Sequence, residues 1–177
     1  MRVAGTVIWS TDLIERRAKS GGGKNQPSAV SYSYSVSFAV ALSSRPAARI
    51  GRIWADGNLL RGAAGDLKTA TEFRFHNGFG DQPLDALLAS AEAAGQCPAY
   101  RNLAYAVFED MQLADFGNRI PSLAVRLFER DAPVPVSEIV ATTSDGSMIG
   151  QSLETLDGYA VQGTDARSAL QPIFAAF

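Results

Sequence analysis

A strictly alternating run between Ser28 and Leu42 constrains the fold more than any other feature of the sequence. Its even positions are apolar or aromatic and its odd positions are serine or alanine: Val30, Tyr32, Tyr34, Val36, Phe38, Val40 and Leu42, against Ser31, Ser33, Ser35, Ser37, Ala39 and Ala41. Because strand side chains alternate between two faces, this period predicts one long strand. The length exceeds the usual about 5 to 6 residues. We expect the strand to bend around a barrel or join two sheets, with Val30, Tyr32, Val36 and Phe38 near the core.

Further segments predict antiparallel pairing. Arg49 to Arg61 has the pattern of a hairpin around Asp56-Gly57, a pair suited to a tight turn with positive φ angles. A second alternating run, with Thr69, Thr71, Phe73 and Phe75 on one face, ends at Asn77-Gly78. Two more strand patterns cover Leu103–Phe108 and Leu123–Phe128.

Helical patterns are fewer and shorter. One helix is predicted to begin near Asp81 or Gln82, with Pro83 in its first turn, and to stop at Gly95. Its apolar face carries Leu84, Leu87, Leu88 and Ala91.

The two prolines of Asp131–Pro135 predict a connector that cannot continue a strand ladder. Beyond it, Ser137–Thr143 is predicted as a brief helix and Gly158–Val161 as a strand. Thr164 could cap a last helix, whose apolar face is formed by Leu170, Ile173, Phe174 and Phe177.

These patterns predict the α+β class: a mostly antiparallel β barrel or sandwich with one inserted helix near residues 83–94 and a small C-terminal mixed α/β piece. The predicted domains are residues 1–130 and 131–177. Because the chain ends in a hydrophobic segment at Phe177, we expect it to be a fragment of a longer polypeptide.

Composition narrows the function classes. The 177 residues are 46% hydrophobic, enough for a sizeable core, and the 16 basic and 18 acidic residues are dispersed. That charge does not indicate binding to nucleic acid or to an anionic membrane surface. Membrane insertion is not indicated either, because the apolar stretches are interrupted well before the roughly 20 residues that a spanning helix needs. The N-terminus has no pattern of a secretion signal, and the single cysteine, Cys97, fits synthesis in a reducing cytoplasm.

Two basic or glycine-rich features are interpreted as solvated surface segments and not as binding sites. Ser20–Asn25 resembles a phosphate-binding loop, but Asn25 follows the lysine and a strand comes next, so a flexible loop is predicted. The cations around this loop favour a solvated hairpin arm: Arg16, Arg17, Lys19 and Lys24.

Candidate catalytic groups do not form a constellation in the sequence. Glu109, Asp110 and Asp115 could suggest a glycosidase pair, but we interpret them as solvated turn residues. His76 is predicted as an exposed strand histidine, and Cys97 as a partly buried structural thiol. We therefore predict no catalytic residue, no metal site and no cofactor. Most aromatic side chains are predicted to lie in the core: Trp9, Trp54, Tyr32, Tyr34, Phe73, Phe75, Phe116 and Phe128.

Several blocks resemble one known family. They occur in order at Val7–Trp9, Tyr34–Val40, Ile50–Gly57, Pro98–Glu109 and Leu113–Pro121. Together they are similar to the large tail protein of gene transfer agents and related siphophages, a TIM-barrel-like or host-specificity tail protein family. The sequence departs from the family at Asn102, where glycine is usual, and it lacks the TIM-barrel-like and carbohydrate-facing parts.

The resemblance implies a baseplate hub or tail tip segment at the distal end of the tail tube, located in the virion tail. Its implied partners are copies of itself in a trimeric ring, the tail tube and the tail tip. The alternative is a carbohydrate-binding or cell-wall-degrading tail enzyme fragment. In either case we expect Asp115–Pro121 to be a structured loop, held by side-chain bonds from Asp115 or Asn118 and anchored by Phe116.

Overall fold

The computed structural model describes residues 2–20, 29–92, 95–148, 152–156, 159 and 165–176. The chain divides into two compact units, Arg2–Glu129 and Arg130–Phe177.

The strands of the first unit form two antiparallel sheets. In chain order they are β1 (Arg2–Ala4), β2 (Thr6–Ser10), β3 (Ile14–Ser20), β4 (Ala29–Ser43), β5 (Arg49–Ala55), β6 (Asn58–Arg61), β7 (Glu72–His76), β8 (Ala104–Gln112) and β9 (Leu123–Phe128). One sheet has the order β1-β9-β5-β6. The other has the order β2-β4-β8-β7, and β3 also pairs with β4. The predicted class, mostly antiparallel and sandwich-like with short helices, is confirmed.

The long strand is present as β4, although Ser28 lies outside the described residues. It stays within one sheet rather than joining two. Its C-terminal half pairs with β2 and β8, whereas Ala29–Tyr34 pair with β3 alone. The N-terminal half therefore continues past the sheet as a two-stranded ribbon, which we define as β3 with residues 29–34 of β4.

This arrangement divides the apolar face of β4 in two. Val36 and Phe38 are buried between the sheets, as predicted. Val30 and Tyr32 are 37% and 53% exposed, so their predicted core position is wrong. The alternating pattern is the same in both halves, but only the C-terminal half has a second sheet packed over it.

The other face of β4 is buried as well. Ser35, Ser37 and Ala39 have almost no exposed surface, and Ala39 belongs to a second apolar cluster with Leu88 and Tyr105. Small side chains at these positions allow a helix to pack closely on the outside of the sheet.

That helix, α1, spans Ala86–Ala91 and is shorter than predicted. It does not begin near Asp81 or Gln82, and it ends before Gly95. The Asp85 side chain accepts hydrogen bonds from two backbone amides of the first turn. Such a cap satisfies donors that the helix itself leaves free, so the helix starts directly after Asp85.

Predicted turns are confirmed at two places. Asp56 and Gly57 have φ angles of 48° and 87° between β5 and β6. Asn77-Gly78 follows the end of β7, and Gly78 has a φ of 83°.

The loop after β8 is structured, but by different bonds from those predicted. It contains a short 3-10 helix, Ala114–Phe116, and the half-buried Phe116 packs against the main core as expected. The bonds come from the backbone, because the amides of Phe116 and Asn118 donate to the carbonyl of Leu113. The predicted side-chain bonds from Asp115 or Asn118 are not among those formed in the described part of the chain.

The second unit contains β10 (Val134–Pro135), α2 (Val136–Thr143), β11 (Thr155–Leu156) and α3 (Ala166–Phe174). The predicted brief helix is confirmed as α2. The connector interpretation needs correction, because Pro135 takes part in a short antiparallel ladder with Thr155. A proline is tolerated in an edge strand, and in the described part of this unit the sheet has two strands, both of them edges.

In α3, Leu170 and Ile173 are buried as predicted, but Phe174 is 51% exposed. Asp165 caps this helix through the amide of Ser168. The predicted cap Thr164 and the predicted strand at Gly158–Val161, apart from Tyr159, lie outside the described residues. None of the helices in the described ranges is long and apolar enough to cross a membrane.

Candidate functional site

The outer face of the five-stranded sheet carries an open groove of about 440 Å³ between α1 and the strands β7 and β8. Arg74, His76 and Glu109 line it from the sheet, and the segment from Leu84 to Ser90 lines it from the helix.

Asp85 is the centre of this groove and its side chain is 1% exposed. Arg74 donates to it twice, from Nε to Oδ2 at 2.8 Å and from Nη2 to Oδ1 at 3.2 Å. His76 Nε2 lies 2.9 Å from Oδ2. The backbone amides of Leu87 and Leu88 donate to Oδ1 at 3.0 and 3.4 Å. One carboxylate thus ties the start of α1 to strand β7.

Arg74 joins a second carboxylate to the first. Its Nη1 donates to Glu109 Oε2 at 2.7 Å, while its other nitrogens hold Asp85. The bond to Asp85 raises the pKa of Arg74 above its ordinary value. Burial alone would raise the pKa of Asp85, but hydrogen bonds from Arg74 and His76 outweigh it and lower this pKa to about 2. A general acid needs a raised pKa, so the arrangement suits a permanent ion pair better than proton donation.

We predict an acid-sensitive contribution from Asp85. Its pKa is about 2 in the folded state, below the about 3.9 of an unfolded aspartate. The stabilisation is therefore complete above the unfolded pKa and is lost as pH falls from about 4 towards 2, on the order of 2 kcal/mol. Urea unfolding at several pH values should show this loss in the native sequence. Asp85→Asn should lack it, and equal pH slopes for the two proteins would contradict the assignment.

His76 was predicted to be exposed, and this is wrong. Its side chain is 13% exposed, and its ring stacks on Tyr105 with centroids 4.3 Å apart. The strand period alone places His76 on a polar, exposed face of the sheet. The residues before α1 cover that face. Sequence reasoning also missed Arg74 and Asp85, although aspartate followed by a helical apolar pattern is a known capping signal.

Glu109 and Asp110 were interpreted as solvated turn residues, and both lie instead in β8. Asp110 has a φ of 52° at an irregularity in the β4–β8 pairing, and its amide donates to Ser37 Oγ. Its carboxylate accepts from Ser35 Oγ at 2.6 Å and from Arg16 at 2.7 Å. In a β-bulge, two residues of one strand lie opposite one residue of the partner strand. A sequence period of two does not predict such an irregularity.

Asp115 is exposed in its turn, as predicted, and is not brought together with Glu109 or Asp110. Cys97 is half-buried against the second cluster, as predicted, and burial raises the pKa of its thiol. Among the residues that the structure describes, no group of three or more His, Cys, Asp and Glu side chains could hold a metal ion.

Gln82 fixes the segment that leads into α1. It is 3% exposed, its Oε1 accepts from the amide of Gly78, and its Nε2 donates to the carbonyls of Ala99 and Tyr100 at 2.9 Å. At the C-terminal end of the helix, Trp9 Nε1 donates to Glu92 at 2.8 Å. The helix side of the groove is therefore held by bonds to three separate parts of the unit.

The ribbon is the other distinctive surface. Arg16 and Arg17 lie in its edge strand, so the predicted hairpin arm is confirmed for them, while Lys24 and the glycine run lie outside the described residues. The Arg17 guanidinium lies 5.9 Å from the centroid of the exposed Tyr32 ring, whose predicted place in the core is thus corrected. Tyr34 Oη donates to Glu15 at 2.9 Å.

The fold has a counterpart among solved structures. It is similar to a chain from a structure described as the virion of a native gene transfer agent (GTA) particle, with 26% sequence identity and a TM-score of 0.60. The likeness covers 100% of this chain and 46% of that chain, so this chain spans less than half the length of the one it matches. No protein-family model matches the sequence, and no curated protein matches it.

Proposed function

We propose that this chain is a structural component of a gene transfer agent or related phage-type tail, and that it forms part of the baseplate hub or tip at the distal end of the tail tube. The observation that carries the first part is the likeness to a gene transfer agent virion chain over the whole length of this one. The position at the tail end rests on the sequence blocks that resemble the large tail protein family.

The placement of those blocks supports the proposal. Ile50–Gly57 forms most of β5 and its turn, and Pro98–Glu109 leads into β8, the strand between β4 and β7. Leu113–Pro121 forms the loop anchored by Phe116. The resembling segments thus build the centre of the two-sheet unit, which is what a shared fold requires.

The chemistry of the groove favours a scaffold over an enzyme. A cell-wall-degrading fragment, the second candidate, needs two carboxylates, one of which donates a proton to the leaving oxygen. Here one guanidinium holds both Asp85 and Glu109, and the pKa of Asp85 is about 2. Such a network gives rigidity, which a particle component needs.

The proposal includes the partners and the division of the chain. We propose that residues 1–130 act as a hub-like domain and that 131–177 form a connector and the start of a further module. In the full-length protein, copies would form a trimeric ring in contact with the tail tube and the tip. Closed rings of identical subunits are a common solution for such assemblies.

We expect the protein to be found in purified particles and to have no turnover on peptidoglycan. Particles from a producing strain would be separated on a density gradient, and the chain would be detected in each fraction with an antibody raised against it. Turnover would be measured by release of soluble muropeptides. The proposal fails if the protein is absent from the particle fraction, or if hydrolysis occurs and is lost on Glu109→Gln.

A further inference from the structure

The face of the ribbon that carries Tyr32 is an exposed surface with the composition of an interface. Tyr32 and Val30 are 53% and 37% exposed, and Arg17 lies over the tyrosine ring. Tyrosine and arginine are among the side chains that most often anchor protein interfaces. A two-stranded ribbon is only marginally stable by itself, so a partner on this face would stabilise it.

The groove offers the complementary chemistry. Arg74 lies within 4 Å of three carboxylates, those of Glu72, Asp85 and Glu109, so acidic groups outnumber the guanidinium. His76, which also contacts Asp85, adds a positive charge only when protonated. Glu109 is 34% exposed, and the rim carries Leu84, which is 48% exposed. The groove therefore presents a partly exposed carboxylate beside an exposed apolar side chain.

The Arg17–Tyr32 face of the ribbon and the groove lie on opposite faces of one sheet. The ribbon is formed by β3 and β4, whereas the groove lies over β7 and β8 of the same sheet. Arg17 pairs with Tyr32, on the face of β4 that continues into the main core at Val36 and Phe38. The groove lies on the other face, where Ala39 packs with Leu88 of α1. A guanidinium at Arg17 can therefore reach such a groove only in another molecule.

Charge supports a second copy as that partner. In the sequence β3 carries Arg16, Arg17 and Lys19 against the single acid Glu15, while the whole chain has a net charge of -2. The basic ribbon of one molecule thus matches the acidic groove of its neighbour. Complementary potentials favour this pairing over a contact between two ribbons.

We propose that the Arg17–Tyr32 face of the ribbon docks into the groove between α1 and β7–β8 of a second copy, head to tail. This deepens the proposed structural function, on which it rests, by naming the two surfaces that join neighbouring subunits. A heterologous contact of this kind closes into a ring when the rotation between copies permits. Because a stable interface buries about 1,200 to 2,000 Å², the ribbon contact alone gives weak association in this chain.

The test is photocrosslinking of the 177-residue chain with p-benzoylphenylalanine in place of Tyr32. Unlabelled and 15N-labelled protein would be mixed at high concentration, irradiated, and digested for mass spectrometry. We expect crosslinks between light and heavy chains that map to the peptide containing Leu84–Ser90. Arg17→Glu should reduce their yield at least fivefold, and Leu84→Ser should also reduce it.

The matched control is Arg52→Glu, the same charge change at an exposed position of β5, which should leave the yield unchanged. Crosslinks that are absent, confined to single chains or mapped elsewhere would overturn the docking proposal, as would equal losses for Arg17→Glu and Arg52→Glu. These outcomes are separate from particle membership: expected crosslinks from a protein absent from particles would reject the proposed function and retain the docking contact.

Discussion

Replacing Phe38 by alanine should destabilise the protein by about 3 to 5 kcal/mol, the usual cost of removing a buried phenylalanine ring. Phe38 has no exposed surface and stacks on Phe108, with ring centroids 5.0 Å apart. Phe38 lies where β4 pairs with β8, and it faces the second sheet. The cavity left by the substitution would therefore be lined by residues of both sheets. Urea unfolding at neutral pH gives the free energy of unfolding for comparison.

Tyr32→Ala is the matched control, because the two residues occupy the same face of the same strand. Tyr32 is 53% exposed, so its loss should cost less than about 1 kcal/mol. Equal losses for the two variants would mean that the ribbon half of β4 is as well packed as the sheet half. That result would contradict the division of β4 into a buried half in the sheet and an exposed half in the ribbon.

The second large effect is expected at Asp85. Asp85→Asn should cost about 2 to 4 kcal/mol, because it removes a buried charge from Arg74, whose partial exposure limits the penalty. Asparagine remains a good helix cap, so Asp85→Ala should cost about 1 kcal/mol more through loss of the cap.

Glu72→Gln is the control for Asp85, since it changes the same charge beside the same arginine. Its side chain is 80% exposed and 3.9 Å from Arg74, so the effect should stay within about 0.5 kcal/mol. An equally large loss at Glu72 would show that the exposed pair, not the buried one, holds the helix. Urea unfolding at neutral pH measures all three variants.

Local patterns predicted the strands well where burial and period agree. Leu123–Phe128 occupies the predicted positions, and β4 extends one residue past its predicted end at Leu42. The errors occur where the alternating pattern of a strand does not match the burial of its side chains. Tyr32 has the period of a core residue, but the second sheet does not extend over it. A single sequence gives the two faces of a strand without saying which part of each face is covered.

The groove could not be predicted because its members are distant in the sequence. Arg74, Asp85 and Glu109 come from β7, the start of α1 and β8. Their meeting depends on the β7–β8 register and on the place where the helix packs. Asp85 could have been found as a capping residue, but its ion pair with Arg74 is a product of the tertiary fold.

The sequence blocks and the structural likeness carry different parts of the functional account. The likeness to a gene transfer agent virion chain supports a role in the particle. The blocks such as Pro98–Glu109 supply the more specific expectation of a hub or tip segment. That position in the tail stays a prediction.

Immunogold electron microscopy of intact particles tests that position most directly. Antibodies raised against the 177-residue chain would be applied to particles from a producing strain, with antibodies against the tube protein as a length marker. The account predicts gold at the tail end farthest from the head. Gold on the head, along the whole tube, or on no particle would contradict it.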